Sequence, residues 1–364
     1  MIDFLTQNFT LTEVDQAIKE VINATIKVRD PKIWGDYLTG CACDSKKISV
    51  WDQNLLVEWH TRYKGKGVMI YWHVDKKAMV IHAQLKTCSS SEVTSMIKGV
   101  LEHDTAMEMI EIYVDTHGQS ALGFAFSYLL GFDLLPRLKN INKQKLYRAS
   151  KKDVYQNLEG IMGSSAINWS KIKKHYHEIV KYVAALKTGT VEAAVLLKRL
   201  SANNASHPVY QALLELGKVI RTIFVCNYLM NEELRIEVHE SLNIVERING
   251  TLGFMFYGKL GAITSNNLEN QEIAILSLHL LQVCMVYINT VMIQEILSLK
   301  DWQLTKEDLR ALSPLIHSHI TPYGYFIMDM NYRIPLKPVA NENVYEKSTH
   351  SCTRKSQVVC KAAA

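Results

Sequence analysis

Apolar residues recur every three or four positions from Val14 to Ile26, through Ile18, Val21 and Ile22, so residues 11–28 read as an amphipathic helix that stops at Asp30-Pro31. Short strand-like runs come next. Residues 40–50 (GCACDSKKISV), 68–75 (VMIYWHVD) and 78–87 read as strands, the last two joined by the tight polar Asp75-Lys76-Lys77. A helix over 91–103 begins with Ser and Glu. A fourth strand, 110–114 (IEIYV), runs straight into Asp115-Thr116-His117-Gly118. A helix over 120–130 ends at Gly131, and 134–138 forms a short fifth strand. The order is β-β-β-α-β-α-β. From about 141 to 300 the spacing is almost wholly helical and Gly and Pro are scarce. The last stretch, 338–364, is polar without periodicity and reads as a disordered tail.

The longest apolar run, Ile273 to Ile293, matches a bilayer span in length. His279, Gln282 and Asn289 interrupt it, and Glu272 and Glu295 flank it, so it is assigned to a buried core helix. With 364 residues, 48% of them hydrophobic and 21% charged, the composition is that of a globular chain and excludes collagen and a disulfide mini-protein. The N-terminal residues lack a basic stretch followed by an apolar one, so no signal peptide is expected. Seven Cys, an odd number in a long chain, suggest free thiols in a reducing compartment. Cys41 and Cys43 form a C-x-C with Cys88 far downstream, which lacks a zinc-finger partner pair and leaves buried thiols as the plain reading.

The net charge of +5 hides an uneven distribution. Between Arg137 and Leu200 stand 14 Lys and Arg against 4 Asp and Glu, so the remainder of the chain is net acidic. Aromatic residues interleave with these cations, as in Lys145-Leu146-Tyr147-Arg148 and Lys173-Lys174-His175-Tyr176, a pattern that suits a phosphate backbone.

Among the acids, Asp44 lies in the first strand between small residues and Asp115 ends the fourth. In a β-β-β-α-β sheet those two strands can be neighbours, which would point both carboxylates at one spot. Two carboxylates there repel unless a divalent cation lies between them. A third acid from a packed helix would complete a two-metal site for in-line phosphoryl transfer, and Glu246 in Leu242-Asn243-Ile244-Val245-Glu246-Arg247 is the candidate. From pattern alone, an Asp at a strand end is also an ordinary turn or helix cap.

At these residues the chain resembles the Tn-three family of replicative transposases. Trp34-Gly35-Asp36, Ser45-Lys46-Lys47 after Asp44, and Trp51-Asp52-Gln53-Asn54 resemble its first catalytic segment. Val114-Asp115-Thr116-His117-Gly118-Gln119, then Leu130-Gly131-Phe132 and Leu135-Pro136-Arg137-Leu138, resemble the segment around its second Asp. Leu186-Lys187-Thr188-Gly189-Thr190 looks like its R-x-G-T block. Leu242-Asn243, Glu246 and Asn249 look like its Glu segment. Glu269-Asn270-Gln271, Ile288-Asn289-Thr290-Val291, Leu312-Ser313-Pro314-Leu315 and His319-Ile320 follow in order.

The resemblance implies an α+β fold: an RNase H-like mixed sheet with flanking helices and a large all-helical insertion between the second Asp and the Glu. The segments would be a helical lead-in (1–33), the first part of the catalytic domain (34–140), a basic helical insertion (141–235), a helical completion carrying the Glu (236–337) and the tail (338–364). It implies a DDE-type transposase in which Asp44, Asp115 and Glu246 hold Mg²⁺, with Mn²⁺ as a substitute. That enzyme would nick the 3′ ends of terminal inverted repeats and join them to target DNA. Arg137, Lys139 and Lys187 are candidate DNA phosphate contacts. Self-association on DNA, no membrane, and a bacterial cytoplasmic, nucleoid-associated location are also implied. Family members are far longer, with DNA-recognition domains upstream, so sequence-specific end binding is expected to lie outside this chain. Two rivals share the same residues: a metal-dependent nuclease, and a truncated remnant that binds DNA or a full-length transposase.

Overall fold

The computed structural model describes residues 5, 7–35, 39–50, 57–60, 64–256, 262–263, 265–299 and 302–319, without the side chains of residues 117, 202 and 262. Asp36, the Trp51–Asn54 motif, Ile320 and the 338–364 segment lie outside the described residues.

Helix α1 spans Leu11–Val28. Thr10 and Glu13 form a reciprocal capping box at its start, which satisfies two otherwise orphaned backbone donors. Its buried face is Val14, Ile18 and Ile22. Asp30 does more than end α1: it caps a short helix α2 (Pro31–Trp34), whose first residue needs no N–H partner.

A sheet follows. Strand β1 (Gly40–Val50) pairs antiparallel with β3 (Gly65–Asp75), which is flanked by β4 (Val80–Lys86) and the short β2 (Glu58–His60). Helix α3 (Glu92–Glu102) leads to β5 (Glu111–Val114), which lies parallel against the other side of β1. Helix α4 (Ala121–Leu130) is capped by Ser120 and closed by Gly131 at φ +96°, where a side chain would be strained. It returns the chain to β6 (Asp133–Pro136), parallel to β5. The order β2-β3-β1-β5-β6, with β4 also on β3, gives an antiparallel half and a parallel half that meet at β1. The β3 run Val68–Val74 is apolar apart from His73 and buried throughout, as a central strand covered on both faces must be.

Residues 141–235 differ from the expected all-helical insertion. They contain β7 (Leu146–Arg148) and β8 (Met162–Ala166), which form a separate two-stranded parallel sheet. Helices α5 (Trp169–Lys187), α6 (Ala193–Arg199) and α7 (Pro208–Met230) follow. Helix α7 joins this region to the sheet: it packs on α4, with Phe224 against Phe124, and its Thr222 hydroxyl accepts from Tyr147 N. At Gly217 the approach to α4 is so close that a Cβ would stand 1.8 Å from the Ala121 carbonyl oxygen.

Helix α8 (Glu232–Met255) buries Val238, Leu242, Val245, Ile248 and Leu252. A two-residue strand β9 (Ala262–Ile263) pairs with the far end of β1. Helix α9 (Leu268–Ser298) is the apolar run noted in the sequence, and two thirds of its most apolar window, 67%, is buried inside the protein. Its interrupting polar residues all read backbone elsewhere. His279 bonds to the Val80 carbonyl, and Gln282 accepts from Val80 N and donates to Ala78 O. Asn289 donates to Pro314 O and Ile316 O. A core helix satisfies buried polar groups in this way. Helix α10 (Lys306–Ala311) is the last described helix, stapled to α8 by Arg310–Glu240.

Candidate active site

The site begins with strand register. Cys43 of β1 stands opposite Val114 of β5, and Val114 stands opposite Pro136 of β6. The next residues are therefore Asp44, Asp115 and Arg137, in a row across three strands; the Arg137 N–H continues the ladder by donating to Val114 O at 2.9 Å. The side-by-side placement expected of the first and fourth predicted strands is what the sheet shows. Asp44 is not at a strand end, because β1 runs on to Val50 along β3.

Alternation along β1 sorts its side chains. Cys41, Cys43 and Ser45 face α3: Ser45 donates to Glu92 at 2.7 Å, and His73, the cross-strand partner of Cys43, bonds to Met96 O. Cys41 and Cys43 are free and buried, and no group of three potential ligands holding a metal occurs among the described residues. Asp44 and Lys46 face α8. That helix is moored at one end by Lys76, whose Nζ lies 2.7 Å from Glu237 and 3.1 Å from Glu111. Glu246 projects from its middle and is exposed, beside the row of strand ends.

Arg137 connects the acids. Its Nη2 lies 3.3 Å from Asp115 Oδ1 and 3.7 Å from Glu246 Oε1. Those two contacts hold the Asp115 and Glu246 oxygens within about 7 Å of each other, within reach of a shared pair of cations. Lys139 Nζ adds a contact to Asp115 Oδ2 at 3.4 Å. Asp44 is bound to the Glu-bearing helix through Asn249, whose Nδ2 donates to Asp44 Oδ2 at 3.5 Å. Burial alone would raise the Asp115 pKa. The Thr116 backbone N–H, Lys139 and Arg137 outweigh it and hold the carboxyl below its ordinary range.

Arg137 and Lys139, read from sequence as phosphate contacts, thus stand against a carboxylate. Lys187 is exposed at the end of α5, and no hydrogen bond or ion pair joins it to the three acids. Lys46 and Asn249 entered the sequence reading only as parts of motifs. The signals that place them here are the two-residue step from Asp44 and the three-residue step from Glu246.

The donor set suits a hard divalent cation, since all three groups are carboxylates. A cationic guanidinium already bridges two of them, which shows that the space between favours positive charge. Among the described residues no three His, Cys, Asp or Glu side chains are yet close enough together to hold an ion on their own.

Comparison with known proteins agrees with this architecture. Residues 4–326 match the family model described as the Tn3 transposase DDE domain. The chain is 29% identical over 330 residues to the transposase for transposon Tn2501 of Escherichia coli, covering 87% of this chain and 32% of that protein. It is 26% identical over 326 residues to the transposase for transposon Tn1546 of Enterococcus faecium, covering 87% and 33%. Against the transposase for transposon Tn21 of Escherichia coli it is 27% identical over 333 residues, covering 89% and 34%. The chain spans about a third of the length of these relatives. With the family model matched over most of its length, the chain belongs to the Tn3 transposase DDE-domain family.

Proposed function

We propose that this chain is the catalytic part of a DNA transposase that nicks transposon 3′ ends and transfers them to target DNA. The observation that carries the reading is the row Asp44–Asp115–Arg137 across β1, β5 and β6, with Glu246 brought to Arg137 by α8. The antiparallel-then-parallel strand order supports an RNase H-like sheet, with 34–140 and 236–337 forming its catalytic body and 141–235 an insertion. Asp44, Asp115 and Glu246 would hold Mg²⁺, or Mn²⁺ in its place. Bound there, the cations would supply activation of a water or 3′-hydroxyl nucleophile and stabilisation of the leaving oxygen.

The chain's own residues supply charge and position. Arg137 and Lys139 stand where the scissile phosphate must approach the carboxylates, so the same cations can turn from Asp115 to phosphate oxygens. Helix α5 extends the basic surface: Trp169, Lys173, Tyr176 and Lys187 are exposed along one side, with Lys174 and Lys181 beside them. Cations with interleaved aromatics support contact with DNA backbone. Such binding is sequence-independent and falls steeply with salt. Copies of the chain would assemble on paired ends.

The test is joining. A pre-nicked terminal-repeat oligonucleotide and plasmid target are incubated in Mg²⁺ with this chain linked to the upstream part of a full-length relative. Covalent joining supports the transposase; cleavage without joining identifies a nuclease; DNA binding without either identifies an inactive remnant.

A further inference from the structure

The strand carrying Asp44 and the helix carrying Glu246 meet at one residue. Asn249 lies three positions after Glu246 on α8, so the two share one side of the helix. Its side-chain Nδ2 donates to Asp44 Oδ2 at 3.5 Å. Its main-chain carbonyl accepts from the ammonium of Lys46, two positions after Asp44 on the same face of β1. Gly253, one helical turn further, gives that ammonium room: a Cβ there would stand 3.1 Å from Lys46 Nζ. Burial pulls the Lys46 pKa down, and no acid pairs with it among the described residues. Two adjacent groups of one strand face thus grip the two ends of a single residue.

The amide orientation is fixed by chemistry. With the amide turned over, Oδ1 would face a carboxylate oxygen, acceptor against acceptor. In the orientation present, Oδ1 is buried without a partner among the described residues. A buried unsatisfied oxygen is an expense that packing alone does not explain, because a leucine of the same shape would fill the space without it.

We propose that Asn249 is a positioning residue for Asp44. It orients the Asp44 carboxylate from the helix that carries Glu246, while Lys46 sets where that helix stands on the strand. Asn249 then couples the positions of the first and third acids through a three-residue helical step. This rests on the reading of Asp44, Asp115 and Glu246 as cation ligands. Residues that orient metal-binding carboxylates are worth about ten- to hundred-fold in metal affinity.

The experiment titrates Mn²⁺ alone into the full chain and into Asn249→Leu, Asn249→Ser, Lys46→Met and Asp44→Asn, following the Mn²⁺ electron paramagnetic resonance signal, with thermal melts alongside. Asn249→Leu keeps the shape and loses the donor, so it should melt within a few degrees of wild type yet bind Mn²⁺ about ten-fold more weakly or worse. Asn249→Ser is too short to reach Asp44 and should show the same loss; it decides the matter if the Leu variant does not fold. Lys46→Met should weaken binding less than either. Wild-type affinity in a folded Leu or Ser variant, with binding lost in Asp44→Asn, would overturn the role given to Asn249 and leave the carboxylate site standing. A wild-type chain that binds no Mn²⁺ would overturn the carboxylate site and this proposal together.

Discussion

Asp115→Asn keeps the size of the side chain and removes one negative charge from the middle of the row. Asp115 holds two cations, Arg137 at 3.3 Å and Lys139 at 3.4 Å, and its own side chain is only 15% exposed. The cations are partly solvated, so screening reduces the lost ion pairing to about 1 kcal/mol of folding stability. The effect on DNA should be larger and opposite in sign. Each cation that turns to a phosphate releases counterions and steepens the dependence of log affinity on log salt by about 0.9. With two cations freed, the slope should steepen by one to about two units, with affinity at about 50 mM salt equal to or several-fold above wild type. The assay is fluorescence anisotropy on a labelled duplex across a salt series, with a denaturant melt to confirm folding. A shallower slope, or binding ten-fold weaker in a folded variant, would refute the placement of these cations between carboxylate and DNA. End joining should fall at least about a hundred-fold as electrostatic stabilisation of the transition state is lost.

Other outcomes follow from the packing. Gly217→Ala should cost about 3 kcal/mol or more in a denaturant melt, because the new Cβ meets the Ala121 backbone rather than a movable side chain; a cost below 1 kcal/mol would mean α4 and α7 are not in close contact. Arg29→Met leaves Asp75, fully buried beside it, with only the Lys77 and Met79 backbone N–H groups among the described residues, and should cost about 3 kcal/mol. Burial pushes the His279 pKa down to about 4. An unfolded chain therefore binds that proton more readily, and stability should fall by up to about 3 kcal/mol as pH drops from about 6.5 to about 4. His279→Gln keeps a donor for the Val80 carbonyl and should flatten that part of the pH profile; an unchanged profile would show that another group controls it.

Particular residues show what the sequence could and could not reveal. Strand β1, helix α1 and the Gly131 stop were legible because period, caps and turn residues act locally. The neighbourhood of Asp44 and Asp115 was legible because a strand order restricts which strands can pair. The fate of α9 was legible from three polar residues that no bilayer would tolerate unpaired, and each has its partner. The β7–β8 pair was not, because β8 reads Met-Gly-Ser-Ser-Ala and carries no β-branched or aromatic residue to mark a strand. The turning of Arg137 toward acids was hidden for another reason. Composition counts cations, whereas their partners depend on which strand ends the register aligns. The Asn249 link needs the crossing of α8 over β1, which joins residues about two hundred positions apart and leaves no local trace.

The account stands on one geometric claim: Asp44, Asp115 and Glu246 surround a common divalent-cation site. Crystals of the chain grown in Mn²⁺ and measured at the manganese absorption edge test it without relying on activity. The account predicts anomalous density at about 2.0–2.3 Å from carboxylate oxygens of all three residues, with Arg137 withdrawn from between Asp115 and Glu246. Density bound elsewhere, or a fully occupied Mn²⁺ site that omits any one of the three, would contradict it.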